Sequence, residues 1–157
     1  MRALKISLYL GAVLLLQTVL LPRFSFFGVV PDLVLVTVVF YAVLLERTPA
    51  TLLSALIGFL QDVLTWPFYL NTIIKTVAGA AVQTLRERFV GDEYTLIVGL
   101  VALLTPLSVL VEGATLHFVF QREFSLFYFV FRLVAETLYN LLLVPLLYPL
   151  VQVTLDE

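Results

Sequence analysis

The sequence contains no cysteine and one histidine, His117, among its 157 residues. Without cysteine there is no disulfide framework, no thiolate metal site and no cysteine nucleophile. A lone imidazole near a helix end cannot build a multi-histidine metal site. We therefore expect neither a metal nor a cofactor.

Charged residues are also scarce, because only 13% of the chain is Asp, Glu, Lys or Arg, and the net charge is -2. The basic residues are scattered, without the clusters that bind nucleic acids or anionic lipids. No P-loop, HExxH, GxSxG or paired-carboxylate motif is present. These absences argue against a nucleic-acid-binding protein and against an enzyme.

Apolar residues dominate instead, at 62% of the chain with a mean hydropathy of +1.09. A spanning helix needs about 20 residues, so a chain of this length holds at most about six or seven crossings. The apolar runs are continuous, as in helices, and do not alternate as in barrel strands. The composition predicts an all-α integral membrane protein, with residues 1–157 forming a single polytopic domain.

The apolar runs divide into about six predicted transmembrane helices. We place them at about 4–21, from just after Pro31-Asp32 to 45, 49–66, 71–85, 94–120 and 124–153, with an interfacial turn at Trp66-Pro67. The first run resembles a signal peptide but lacks a cleavage site, so we expect an uncleaved helix. The fourth run is shorter than a usual crossing.

Basic residues predict the orientation through the positive-inside rule. With the N-terminus in the cytoplasm, the inner side holds Arg2, Lys5, Arg47, Arg86 and Arg88. The outer loops then hold only Arg23 and Arg122. We therefore expect both termini to be cytoplasmic.

Charged side chains inside spans cost about 2.5 to 3.5 kcal/mol each at the membrane centre, so they normally face protein or water. Arg132, Glu136 and Asn140 are four residues apart and share one face of the sixth helix, and Glu112 lies on the fifth. We predict that these four residues form one buried polar cluster. A role in fastening the helices is favoured over a role in a proton or substrate route.

Three further polar residues, Asp62, Asn71 and Lys75, are predicted near the outer boundary of the membrane. Asp62 and Lys75 flank the predicted turn, so they either form an ion pair across it or are solvated separately. Small residues at every fourth position predict close helix packing. They are Ala50, Ser54, Gly58 and Asp62 on the third helix, and Thr72, Thr76, Ala80 and Thr84 on the fourth.

Aromatic residues cluster where the sixth run begins, at Phe124, Phe127, Tyr128 and Phe131. Aromatic side chains at this position are typical of a membrane interface. The cluster is either an ordinary membrane anchor or a contact surface for a partner protein.

Several short motifs resemble the MreD family of bacterial rod-shape-determining membrane proteins. They are Pro31-Asp32-Leu33-Val34-Leu35-Val36, Gly58-Phe59-Leu60-Gln61-Asp62-Val63-Leu64, Leu70-Asn71-Thr72, Lys75-Thr76 and Gly79, with Gln17 and Pro22 in the first span. The resemblance implies a non-enzymatic component of the cell-elongation machinery in the bacterial inner membrane. The implied partners are the bitopic protein MreC, MreB filaments, and RodA with its penicillin-binding transpeptidase.

The same family is thought to resemble, in fold, the six-helix substrate-binding subunits of energy-coupling-factor vitamin transporters. This implies an alternative function as a transporter subunit, with an outward-facing cavity to which Asp62, Asn71, Lys75 and Glu112 contribute. Two further hypotheses are that the chain is a scaffold unrelated to the cell wall or that it is an ion channel.

Overall fold

The computed structural model describes residues 2–65, 69–123 and 125–156. The chain forms α1 (Arg2–Leu15), extended by a π-helical turn (Leu16–Leu20) and a 3-10 turn (Leu21–Phe24), then α2 (Leu33–Leu44), α3 (Arg47–Thr65), α4 (Leu70–Arg86), α5 (Glu93–Phe118) and α6 (Leu126–Leu155). Among the described residues, the only extended pairing is an isolated bridge between Phe26 and Val29. The predicted all-α class is confirmed. The predicted turn at Trp66-Pro67 and the aromatic residue Phe124 lie outside the described residues.

Side-chain caps define where three helices begin. Asp32 accepts a hydrogen bond from the backbone N–H of Leu35, Asp92 accepts one from Thr95, and Ser125 accepts one from Tyr128. Each cap satisfies an N–H group that the first helical turn leaves without a partner. Hydrogen bonds from the backbone and side chain of Thr95 lower the pKa of the exposed Asp92 carboxyl.

Within the described ranges, four helical stretches are long and apolar enough to cross a membrane: Arg2–Phe24, Arg47–Thr65, Glu93–Phe118 and Leu126–Leu155. The 17-residue α4 is slightly shorter. The 12-residue α2 is about 18 Å long, whereas the hydrocarbon core is about 30 Å thick. α2 is therefore too short to cross a membrane by itself.

α2 is the centre of the bundle. Every residue from Leu33 to Val43 is buried, and α2 packs against all five other helices. A helix that is apolar on all sides belongs in such a position. The surrounding helices instead expose apolar side chains on their outer faces, for example Leu56 on α3 and Leu142 on α6.

α2 occupies only one half of the bundle along its length. The backbone N–H of Asp32 donates to the side-chain oxygen of Asn140 at 2.8 Å, and Asn140 lies at the midpoint of α6. At the other end of α2, Tyr41 bonds Thr154 near the C-terminus of α6. The half nearer the α3–α4 connection, here called the α3–α4 end, therefore has no central helix.

α3 and α4 pack closely through small residues, as predicted. Ala50, Ser54 and Gly58 are buried on α3. On α4 the prediction is partly wrong, because Ala80 and Thr84 are exposed and the close approach to Ser54 comes from Gly79. α4 also packs against α2, so its buried face is shared between two neighbours.

We predict that Gly58→Ala destabilises the bundle. An added Cβ would lie 2.8 Å from the carbonyl oxygen of Asn71 and 2.9 Å from Cα of Thr72, and backbone atoms there cannot move aside. Overpacking of this kind typically costs about 1 to 3 kcal/mol. Thermal unfolding in detergent measures the effect.

Gly99→Ala on α5 is the matched control, because an added Cβ there meets nothing within 4 Å. Alanine favours a helix over glycine by about 1 kcal/mol. We expect an unchanged or higher Tm for the control, and an equal loss in both variants would contradict the packing argument.

Candidate functional site

A polar cavity of about 350 Å³ lies in the half of the bundle that has no central helix. Every surrounding helix and the segment before α2 contribute to its wall. The lining residues are Gln17, Gly28, Val30, Asp32, Gln61, Thr65, Leu70, Asn71, Ile74, Lys75, Ser108, Glu112, Tyr128, Arg132 and Glu136. A second cavity of about 460 Å³ shares Thr65, Leu70, Asn71 and Glu112 with the first.

The floor of the cavity is the N-terminus of α2. Its first backbone N–H groups have no partner within the helix, and each would cost several kcal/mol if left unpaired at membrane depth. Asp32 N–H donates to Asn140, Leu33 N–H donates to Gln17 Oε1 at 2.7 Å, and Leu35 N–H donates to Asp32 Oδ1 at 2.9 Å. Side chains from α6, from the π-helical turn and from Asp32 itself therefore accept the hydrogen bonds that water would accept at an exposed helix end.

Gln17 reaches this floor from the π-helical turn that follows α1. Turns of this type are rare and occur often at functional sites. In the sequence, Gln17 stands out only as part of the family resemblance. Its signal is an uncharged amide in the middle of an apolar run, which by itself does not indicate a partner.

Lys75 forms an ion pair with Asp32, with 2.5 Å between Nζ and Oδ2. The two side chains are 3% and 13% exposed, and Lys75 also donates to Asn71 Oδ1 at 3.2 Å. From the sequence, Asp32 is predicted only to mark the start of a helix, and its pairing with Lys75 is not predicted. Both alternatives considered for Lys75, a pair with Asp62 across the turn and separate solvation, are wrong.

Asp62 instead binds the N-terminus of α4. Its carboxylate accepts hydrogen bonds from the backbone N–H groups of Asn71 at 3.1 Å and Thr72 at 2.7 Å, and from the Thr72 hydroxyl at 2.7 Å. A carboxylate at this position satisfies unpaired N–H groups and interacts favourably with the helix dipole. Asp62 is only 2% exposed, so it fastens α3 to α4 inside the bundle.

Arg132 joins two carboxylates across α5 and α6. Its Nη2 lies 2.5 Å from Glu112 Oε2, and its Nε lies 3.0 Å from Glu136 Oε2. The structure thus brings together three of the four residues of the predicted polar cluster. Asn140 is buried on α6 as well, but its side chain bonds Thr105 on α5 and Asp32 N–H.

Gln61 is a cavity residue that the sequence analysis did not single out for a role. Its side chain is buried, at 7% exposure, and its Oε1 atom has no hydrogen-bond partner among the described residues. Most buried polar atoms in proteins have such a partner. This oxygen is inaccessible to solvent, so it lies behind the cavity wall and does not face the cavity.

The aromatic residues at the start of α6 lie beside the turn before α2. Phe127 is 85% exposed, and the ring of Phe131 packs edge-on against Phe27 with 6.2 Å between centroids. The Tyr128 hydroxyl donates to the Gly28 carbonyl at 3.2 Å and reaches the cavity wall. Aromatic groups and cavity therefore meet at the same end of the bundle.

We predict that Lys75→Met strongly destabilises the bundle, because it leaves the Asp32 carboxylate buried without its cation. Breaking a buried pair in this way typically costs about 3 to 5 kcal/mol. The double variant Asp32→Asn/Lys75→Met keeps an oxygen for Leu35 N–H and removes the orphaned charge. Its Tm and folded yield in detergent should exceed those of the single variant. If the Tm loss of the double variant equals the sum of the losses in Asp32→Asn and Lys75→Met, the two groups do not interact.

We also predict that Arg132→Leu lowers folded yield, since it leaves Glu112 and Glu136 facing each other without a cation. Adding Glu112→Gln and Glu136→Gln to Arg132→Leu should restore part of the yield. Fluorescence-detected size-exclusion profiles measure folded yield. Equal losses in the single and triple variants would argue against the charge network.

Comparison with known protein families assigns the chain to one of them. The family model described as MreD, rod shape-determining protein MreD, matches residues 2–156. No curated protein and no solved structure matches the chain, so the likeness to vitamin-transporter subunits stays a prediction. The match covers nearly the whole chain, and the fold is an all-α bundle with four helices long enough to cross a membrane. The chain therefore belongs to the MreD family of rod shape-determining membrane proteins.

Proposed function

We propose that the chain is a non-enzymatic component of the bacterial cell-elongation complex and acts by binding an MreC-like bitopic membrane protein. RodA, its penicillin-binding transpeptidase and MreB are further candidate partners. The proposed location is the bacterial inner membrane, with both termini in the cytoplasm. Family membership supports a role in rod shape, and the partner is the finer part of the proposal.

The contact surface that we propose is an aromatic patch at the α3–α4 end. It consists of Phe24, Phe26 and Phe27 before α2 and of Phe127 and Phe131 on α6, with exposed fractions of 73%, 67%, 83%, 85% and 36%. The Phe27–Phe131 ring contact joins the two halves of this aromatic patch. Large exposed aromatic groups are characteristic of protein interfaces and also of membrane interfaces.

The backbone at Phe27 is the observation that favours a protein partner over simple anchoring. Phe26 and Val29 exchange two backbone hydrogen bonds, and the residues between them, Phe27 and Gly28, have φ of 50° and 78°. Turns with two positive φ angles favour Asn, Asp or Gly, and a bulky residue there costs about 1 to 2 kcal/mol. Strain of this kind often accompanies function. An aromatic ring that only anchors the chain in lipid would not require this strained backbone conformation at Phe27.

We predict that photocrosslinkers at positions 127 and 131 capture the MreC-like partner when the two proteins are co-expressed. A crosslinker at Leu8 is the control, since Leu8 is 67% exposed on α1. Capture at Leu8 as strong as at Phe127 would contradict the proposed surface. Crosslinks to lipid alone would leave the aromatic patch as a membrane anchor.

Phe27→Asn separates binding from folding in the same assay. Asparagine suits a left-handed turn, so the Tm should stay constant or rise, while partner recovery should fall by about tenfold, which corresponds to about 1.4 kcal/mol. Leu146→Ala, at a residue 65% exposed far along α6, is the control and should leave recovery unchanged. Unchanged recovery of the partner with Phe27→Asn would contradict the proposal.

The polar cavity favours a second candidate function, a substrate-binding subunit of a small-molecule transporter. Small-molecule sites typically have volumes of about 300 to 1,000 Å³ and a few convergent polar groups. Saturable binding of a vitamin by purified chain that retains no stable partner would replace the first proposal by this one.

A further inference from the structure

We infer that Tyr128 is a positioning residue for the aromatic patch: its hydroxyl holds the turn from Phe26 to Val29 against α6, so that the two halves of the patch form one continuous surface. Tyr128 lies in the first turn of α6, between Phe127 and Phe131 in the sequence. The inference rests on the proposed function, because the surface that Tyr128 positions is the proposed contact for the partner.

The base of this turn is fixed, whereas its tip has few attachments. Val29 is only 2% exposed, so the base of the turn is anchored in the bundle. Within the described part of the chain, the one side-chain hydrogen bond to the turn comes from the Tyr128 hydroxyl, which donates to the Gly28 carbonyl at 3.2 Å. A Cβ on Gly28 would lie 3.2 Å from the same hydroxyl, so a side chain there would crowd it. The bond therefore depends on a glycine at the tip.

The tip of the turn is strained, and its attachments offset the strain. Phe27 and Gly28 have φ of 50° and 78°, and the left-handed region disfavours a bulky residue such as Phe27. Besides the bond from Tyr128, the tip has the edge-on contact between the rings of Phe27 and Phe131. The net contributions of one hydrogen bond and of one aromatic pair are each of the same order as the strain. Loss of one attachment is therefore enough to release the tip from α6.

Release of the tip would divide the aromatic patch. The rings of Phe26 and Phe27 belong to the turn, whereas those of Phe127 and Phe131 belong to the first turns of α6. A partner that contacts both halves binds most tightly when they are already held side by side, because ordering a mobile segment on binding lowers affinity. The Tyr128 hydroxyl thus preorganises the proposed contact surface.

The same bond contributes little to folding. Tyr128 is 45% exposed, and a hydrogen bond at such a position is readily replaced by bonds to water. Tyr128→Phe removes the hydroxyl and keeps the ring. We therefore expect an unchanged Tm in Tyr128→Phe together with weaker partner binding, a combination that a purely structural bond would not produce.

The first measurement follows the turn without any partner. Because the chain has no cysteine, nitroxide labels on cysteines introduced at Phe26 and Leu142, both exposed, report the distance between the turn and α6 by pulsed electron paramagnetic resonance. We expect a narrow distance distribution in the purified full chain and a broad one when Tyr128→Phe is added. Tyr139→Phe, at a partly buried residue further along α6, is the matched control and should leave the distribution narrow.

The second measurement is recovery of the bitopic partner from mild detergent after co-expression with the full chain. We expect Tyr128→Phe to lower recovery by about tenfold and Tyr139→Phe to leave it unchanged. The Tm of each variant is measured on the same preparations, so that loss of binding is separated from loss of folded protein.

A broader distance distribution together with lower recovery at constant Tm would support the inference. An unchanged distribution in Tyr128→Phe would overturn it, and so would a broader distribution with unchanged recovery. A lower Tm in Tyr128→Phe would also overturn it, because the bond would then be a folding contact. If the unmodified chain recovers no partner, the proposed function fails, whereas the distance measurement still decides whether Tyr128 holds the turn.

Discussion

The N-terminus of α2 lies halfway through the bundle, at a depth where the bilayer itself supplies no water, and the rest of the structure depends on how its N–H groups are satisfied. Asn140, Gln17 and Asp32 accept their hydrogen bonds, and Lys75 neutralises Asp32. Non-helical backbone at membrane depth persists only where it is buried in protein or lines a polar cavity. Both conditions hold here, and the cavity follows directly from the short central helix.

This arrangement separates two tasks along the bundle. In the half that contains α2, the core is apolar and the helices pack around Val34, Val38 and Phe40. In the other half, Asp62, Lys75 and Arg132 tie the helices together through polar contacts around a cavity. The exposed aromatic residues lie beside this polar half, so partner binding at the aromatic patch and ligand binding in the cavity would involve neighbouring segments, joined by the bond from Tyr128 to Gly28.

The helices could be predicted well from the sequence because hydropathy and the residues that begin or end helices are local signals. Pro31-Asp32 indicated the start of α2, and four-residue spacing on α6 placed Arg132 beside Glu136. The Asp32–Lys75 pair joins residues 43 positions apart, and no local pattern reports which helices meet. The π-helical turn that carries Gln17 and the rotation of α4 that buries Gly79 also depend on tertiary packing. The unpaired oxygen of Gln61 becomes visible only once every neighbour is in place.

The central claim is that a cavity open at the α3–α4 end reaches the mid-bundle N-terminus of α2, and in the proposed orientation this end faces the outside of the cell. Because the chain has no cysteine, single cysteines can be introduced at Val30 and Ile74 in the cavity wall and at Leu142, which is exposed on the outside of α6 beyond its midpoint. A membrane-impermeant maleimide is then added to intact spheroplasts. The account predicts labelling at positions 30 and 74 but not at 142, whereas labelling of none, or of 142 as readily as 74, would contradict it.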